Sequence, residues 1–189
     1  MTKAALRAIY QEKRNAISSK EKLKLDDLLL LQFQSFQIDS IQSVLTFWPI
    51  EKFIEPNTHL FTSYLRHFVP NLHIAYPVCN FKTLDMQAIV IDEETVYNTN
   101  KYGIIEPKFG KAIAPDEIDI VFVPNIIIDK NGYRVGYGKG FYDRFLAKCH
   151  PNATFIGFNY FTPIDTITDT NNFDIPLNFC VTPTNVYEF

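Results

Sequence analysis

The chain has 189 residues, 47% of them apolar and 15% aromatic, with a net charge of −3. That is enough for one domain with a sizeable core, and too apolar for intrinsic disorder. The acidic balance gives no reason to bind nucleic acid or an anionic membrane. No stretch approaches the ~20 apolar residues of a membrane span, and the charged start around Lys3 and Arg7 has no signal-peptide core. Cys79, Cys149 and Cys180 lie far apart with no CxxC pair, as expected of reduced thiols in a cytoplasmic protein.

In chain order, residues 3–17 carry apolar positions close to helical spacing, with Lys3 and Arg7 on one face and Arg14 further along. Ser18 and Glu21 have the spacing of a capping box and open a second helix to about Phe36. Residues 43–48 read as a strand ending at Pro49, and residues 57–68 as a helix capped by Asn57. Residues 73–77 and 84–91 read as strands, and residues 92–117 show little periodicity and read as a connecting excursion. A continuous apolar run at 118–124 predicts a buried strand. A glycine-rich segment, a helix over about 140–149, and strands at 153–158 and 178–182 complete the chain. Strands alternating with helices predict a single α/β domain, a three-layer α/β/α sandwich with a mostly parallel sheet. Ligands of such sheets sit beyond the strands' carboxyl ends, which points to the loops after Trp48, Val123 and Phe158.

Glycine is scarce: there are 7, and Gly132, Gly136, Gly138 and Gly140 fall within one short segment. Residues 129–148 carry a net +3 against −6 for the remainder, so that segment is a positive island. Alternate glycines let backbone N–H groups approach an anion, and Arg134 and Lys139 add fixed positive charge. The helix that follows turns its positive dipole end the same way, and Asp143 in its first turn suits a divalent cation held on phosphate oxygens. Neither GxxxxGK[ST] nor GxGxxG is present. The segment is therefore either an anion-binding loop or a plain glycine-rich turn between strand and helix.

The run Asn131-Gly-Tyr-Arg-Val-Gly-Tyr-Gly-Lys-Gly-Phe-Tyr-Asp-Arg-Phe-Leu146 resembles the signature of the 5-formyltetrahydrofolate cyclo-ligases, also called 5,10-methenyltetrahydrofolate synthetases. Further matches lie at Lys3-Ala-Ala-Leu-Arg7, Tyr102-Gly-Ile-Ile-Glu-Pro107, Asp119-Ile-Val-Phe-Val-Pro124 and Asp174-Ile-Pro, in the family's order. The resemblance implies one cyclo-ligase domain over residues 1–189, similar in fold to the ribose-5-phosphate isomerase and glucosamine-6-phosphate deaminase group. It implies closure of 5-formyltetrahydrofolate to 5,10-methenyltetrahydrofolate with ATP and Mg²⁺, releasing ADP and phosphate through a phosphorylated formyl intermediate.

By position, Lys3, Arg7, Arg134, Val135, Gly136, Tyr137, Gly138, Lys139, Gly140, Phe141 and Tyr142 would contact ATP, with Lys139 and Arg134 catalytic. Asp143 and Asp174 would hold the metal, and Ile50, Glu55 and Tyr137 to Phe141 would line the folate pocket. His59, His67, His73 and His150 fall outside the matched segments and read as surface or packing residues. The partners expected are these small molecules, with the protein a monomer. A relative acting on another formyl or carboxyl compound, or a non-catalytic nucleotide- or folate-binding module, remains the alternative. Three positions depart from the family pattern: Asn125 stands for glycine, Val135 for leucine and Phe141 for tyrosine. Asparagine tolerates positive φ, so the turn at Asn125 is expected to survive.

Overall fold

The computed structural model describes residues 1–36, 38 and 41–189. Polar caps start the first three helices where the sequence places them. Thr2 accepts from the Ala5 N–H at 3.4 Å and opens α1 (Lys3–Asn15). Ser18 accepts from the Glu21 N–H at 3.2 Å and opens α2 (Ser19–Gln34), and Asn57 accepts from the His59 N–H at 3.2 Å ahead of α3 (Thr58–Phe68). The last helix, α4 (Phe141–Leu146), is shorter than the predicted 140–149. Gly140, left-handed at φ 66°, starts it, and single-turn hydrogen bonds close the chain after Leu146.

The strands are β1 (Ser43–Leu45), β2 (His73–Asn80), β3 (Asp85–Val90), β4 (Tyr97–Thr99), β5 (Ile105–Pro107) and β6 (Ala112–Ile113). They continue with β7 (Ile120–Phe122), β8 (Ile127–Ile128), β9 (Arg134–Val135), β10 (Thr154–Phe158), β11 (Phe179–Val181) and β12 (Val186–Glu188). Eight form one sheet in the order β12-β11-β10-β7-β1-β2-β3-β6. The five strands from β11 to β2 run parallel, and the outer strands are antiparallel. The predicted excursion at 92–117 in fact contains the β4–β5 hairpin and the edge strand β6, and β12 was not foreseen. Strands of two or three residues are too short to display a period.

Burial on both faces explains why the parallel strands read as unbroken apolar runs. On one face Val44, Ile74, Ile120, Phe122, Ile156 and Phe158 pack under α2 and α3 through Leu29, Phe33, Phe61 and Leu65. The Phe33 ring meets Phe61, Phe122 and Phe158 at centroid distances of 5.4–5.7 Å, which accounts for several of the abundant phenylalanines. On the other face Leu45, Ala75, Val121 and Cys180 pack against Phe145 and Leu146 of α4. Leu6 of α1 joins Ile126, Ile127, Val135 and Ile167 in a third cluster, which seats α1 on the β8–β9 hairpin. The result is a mixed, mostly parallel sheet with helices on both sides.

Candidate active site

One cavity of about 1060 Å³ opens where the N-terminus of α1, the loop after β1, the β9–α4 loop and residues 171–175 converge. Two of the three loops expected to matter contribute to it, through Trp48 to Glu55 after β1 and Pro124 after β7. The loop after Phe158 does not line the cavity. Its Asn159 and Tyr160 are buried beneath the site instead.

The glycine segment forms one end. Gly138 and Gly140 have φ of 82° and 66°, so here the backbone does require glycine. A Cβ at Gly140 would stand 2.8 Å from Arg144 Nη1, while one on Gly138 would only graze Arg7. Arg144 staples the loop, donating from Nη2 to the Lys139 carbonyl at 2.8 Å and from Nε to the Leu84 carbonyl at 2.9 Å. The Lys139 side chain is exposed at the cavity edge, and no carboxylate among the described residues pairs with it.

The other cations here are already engaged. Arg7 Nε donates to the Gly136 carbonyl at 2.9 Å. Lys3 Nζ meets both oxygens of Asp174 at 2.5 Å, while Asp174 Oδ2 also accepts from the Asn171 N–H at 2.7 Å. Buried Arg134 donates from Nη2 to Asp143 Oδ1 at 2.8 Å and from Nη1 to the Ile175 carbonyl at 2.6 Å. Burial pulls the Arg134 guanidinium down, and Asp143 opposes that by favouring its charged form. Arg134 thus binds the glycine segment to residues 174–175.

Asp143 and Asp174 were expected to hold a metal. Asp143 Oδ2 has no hydrogen-bond partner among the described residues, and Asp174 is partly exposed to the cavity. Mg²⁺ is commonly held by one or two carboxylates plus substrate phosphates, so this pair beside an anion loop fits it. Among the described residues no group of three His, Cys, Asp or Glu side chains gathers anywhere. α4 has only six residues, so its dipole adds little, and any attraction for an anion here would come from the loop amides and Lys139.

The opposite end is apolar and contains one buried carboxylate. A 3₁₀ turn at Glu51–Phe53, followed by Ile54 at φ 49°, carries Glu55 inward until it is 2% exposed. Its Oε1 accepts from the Tyr137 hydroxyl at 2.5 Å, and its Oε2 accepts from the Ile50 N–H at 2.7 Å. Burial raises the Glu55 pKa, while Tyr137, Ile50, Arg14 and Lys22 oppose that rise. Burial and the neighbouring Glu55 raise the Tyr137 hydroxyl well above its ordinary value. The Phe53 ring stacks on Tyr137 at 4.9 Å, and Trp48 and the Phe81–Tyr102 pair at 4.0 Å extend the wall. Phe141 meets Phe81 edge-on at 5.0 Å, so the ring in the place of the family's tyrosine is used for packing. The Tyr142 hydroxyl is buried without a hydrogen-bond partner among the described residues. Cys79 lines the same wall with its thiol pushed up to about 12, chiefly by burial, and is no nucleophile.

Of the residues assigned by resemblance to ATP, folate or metal, Val135 alone lies off the cavity. Its side chain is fully buried with Leu6, and its carbonyl accepts from the Ile126 N–H. Asn125 corrects a second expectation. Among the described residues, the non-glycines at positive φ are Ile54, Asn71 and Leu84, so Asn125 does not stand in for a left-handed glycine. Its amide donates to the Val123 and Phe158 carbonyls at 3.1 and 3.2 Å, and its Oδ1 accepts from Asn159 Nδ2 at 2.5 Å. The side chain joins the ends of β7 and β10 below the site.

Arg14, further along the same helix, has no role assigned by the sequence. It is wholly buried, with Nη2 donating to the carbonyls of Asn125 and Ile126 at 2.7 and 3.3 Å. A signal was available: eleven residues are close to three helical turns, so Arg14 falls on the same face as Lys3 and Arg7.

Fold and site together define an α/β protein in which a glycine-rich loop presenting Lys139 and an aromatic pocket with one buried carboxylate share a single cavity. The profile of the 5-formyltetrahydrofolate cyclo-ligase family matches residues 1–176, and the chain belongs to that family. The 5-formyltetrahydrofolate cyclo-ligase of Mycoplasma pneumoniae is 30% identical over 165 residues, covering 85% of this chain and 86% of the relative. The NMR structure of the Aquifex aeolicus 5,10-methenyltetrahydrofolate synthetase is similar at a TM-score of 0.80 and 25% identity, covering 100% of this chain and 93% of that one. The Mycoplasma pneumoniae 5,10-methenyltetrahydrofolate synthetase structure is similar at a TM-score of 0.74 and 26% identity, covering 96% and 98%. The family is one of enzymes. Among the described residues no helix is long and apolar enough to cross a membrane.

Proposed function

We propose that this chain converts 5-formyltetrahydrofolate to 5,10-methenyltetrahydrofolate, consuming ATP and releasing ADP and phosphate, with residues 1–189 acting as one domain. The observation that carries this reading is the two-ended cavity of about 1060 Å³. It lies at the upper end of the usual range for a small-ligand site and offers chemically different ends to a nucleotide and to a fused-ring heterocycle.

At the loop end, the 136–140 backbone amides and Lys139 receive the ATP phosphates. Lys3 and Arg7 shape that end through Asp174 and the Gly136 carbonyl, with Arg134, Phe141 and Tyr142 completing the wall. Asp143 and Asp174 would hold Mg²⁺, which neutralises phosphate charge when bound. At the other end Glu55 accepts hydrogen bonds from the pterin N–H groups, while Ile50 and Tyr137 fix its carboxylate.

The formyl oxygen is a poor leaving group, so it first takes the γ-phosphoryl. N10 then attacks the activated carbon, and phosphate departs as the ring closes. Phosphoryl transfer needs alignment and charge neutralisation more than covalent help, and Lys139 is the cation free to follow the transferred group. The partners are these small molecules, and the protein acts as a monomer in the cytoplasm.

Mixing the protein with Mg-ATP and 5-formyltetrahydrofolate should raise the absorbance of the methenyl product in step with ADP release. ATP binding without that chromophore would leave a nucleotide- or folate-binding module. ADP release driven only by another formyl or carboxyl compound would make this a relative of different specificity.

A further inference from the structure

Among the described residues Arg14 is the largest fully buried side chain, and it does not line the cavity. Its Nη2 is committed to the carbonyls of Asn125 and Ile126, whereas Nε and Nη1 are buried without hydrogen-bond partners among the described residues. A buried guanidinium in that state is strongly disfavoured unless a nearby anion compensates. α1 packs on the turn at Glu51–Phe53 that carries Glu55 inward, and Arg14 acts electrostatically on Glu55 and on the Tyr137 hydroxyl.

We propose that Arg14 is a positioning residue of the substrate pocket. Clamped by two backbone carbonyls behind the cavity wall, its guanidinium holds Glu55 as an anion aligned on Tyr137, ready to accept the N–H donors of a fused-ring heterocycle. This deepens the reading of the cavity as a formylfolate site and rests on it. The charged and titratable groups facing Glu55 are Arg14 from α1, Lys22 and Asp26 from α2, Tyr137 from the glycine loop, Tyr142 from α4 and Tyr160 after β10.

Within that set the roles divide. Lys22 is paired with Asp26 at 2.6 Å, and Asp26 also accepts from the Tyr160 hydroxyl at 2.8 Å and from the Asn57 N–H at 3.1 Å. The Lys22 charge is therefore largely answered by Asp26. Among the described residues Arg14 makes no ion pair of its own, which leaves its charge to Glu55. The three tyrosines are neutral, and of them Tyr137 donates to the carboxylate. Burial drives Glu55 towards its protonated form, and a protonated Glu55 loses acceptor capacity towards the substrate. Arg14 opposes that drive from the side away from the ligand.

The test is 5-formyltetrahydrofolate binding, read by fluorescence of Trp48, the sole tryptophan and a residue of the cavity wall, from acid to neutral pH. Wild-type affinity should fall in acid as Glu55 takes a proton. Arg14→Gln keeps an amide donor for the Asn125 carbonyl but no charge, and should move that acid limb up by about one pH unit. Its KM for formylfolate should rise about tenfold near the limb, with kcat and the KM for ATP unchanged. Arg14→Lys, which restores the charge, should return the limb to the wild-type position.

An Arg14→Gln limb that coincides with wild type overturns the proposal, and so does an Arg14→Lys limb displaced as far as that of Arg14→Gln. Should Arg14→Gln not fold, a displaced limb in Arg14→Lys is by itself enough to reject the charge-based role. A wild-type protein that binds no formylfolate at any pH defeats the reading of the cavity instead, which separates the two failures.

Discussion

Asn125 gives the sharpest test of how the strand ends below the cavity are held, because two views of it predict opposite orders of stability. If asparagine merely tolerates a strained backbone where the family has glycine, Asn125→Gly should be milder than Asn125→Ala. The structure requires the reverse. Asn125 is 3% exposed and is not at positive φ, and its side chain makes three hydrogen bonds to Val123, Phe158 and Asn159. At roughly 1 kcal/mol each, their loss costs about 3 kcal/mol, and the Val123 and Phe158 carbonyls lose a partner inside the protein. Asn159 keeps its contact to the Ile126 carbonyl at 3.0 Å, which limits the damage.

Glycine adds the backbone entropy of a freer unfolded chain, about 0.5–1 kcal/mol. Asn125→Ala should therefore lower the thermal midpoint by roughly 6–12 °C, and Asn125→Gly by a few degrees more. Urea unfolding and calorimetry read both. A glycine variant at or above the alanine variant would refute this account and restore a conformational role for the position.

Three other perturbations probe the site directly. Lys139→Ala should lower kcat/KM by at least ~10²-fold, about 2.7 kcal/mol, if the ammonium stabilises the transferred phosphoryl group, and an unchanged rate removes it from the chemistry. Asp143→Asn keeps an oxygen for Arg134 and the Ile175 N–H, so the fold should persist while the Mg²⁺ concentration needed for half-maximal rate rises; an unaltered Mg²⁺ dependence would reduce Asp143 to an anchor. Burial raises Glu55 above its ordinary 4.5, so the folded protein binds that proton more readily than the unfolded chain, and stability falls as pH climbs through the folded value. Glu55→Gln removes this titration, and with it the anion that faces Arg14, so the wild-type midpoint should fall relative to that of the variant as pH rises from acid to neutrality; a difference independent of pH would place its origin elsewhere.

Much of the scaffold was legible because it obeys local rules. Thr58 to Phe68 forms a helix behind an asparagine cap, and Ile120 to Phe122 forms a strand that is apolar throughout because both faces are covered. The edges were not legible. Ala112 and Ile113 form β6 only because β3 offers an open side, and residues 97–99 find their partners at 105–107 across a turn. Such pairings depend on where other strands already lie, and two or three residues carry too little pattern to announce them.

The site divides along the same line. A loop that must take φ of 82° and 66° at Gly138 and Gly140 while presenting Lys139 is a local requirement, so it stood out in a chain otherwise poor in glycine. What the loop works against is not local. Glu55 reaches the Tyr137 hydroxyl across 82 positions of sequence, and Arg14 reaches the Asn125 carbonyl across 111. Neither residue differs in type from dozens of solvated charges, and only burial shows that these two are held out of water. The eleven-residue step from Lys3 to Arg14 is the exception, since it puts a third cation on a helix face whose first two members border the cavity. Lys3 and Arg7 shape the glycine-loop end through Asp174 and Gly136, while Arg14, two turns below Arg7, meets the wall behind the opposite end. One amphipathic helix thereby ties the two halves of the cavity together, so displacing α1 should weaken both substrates at once.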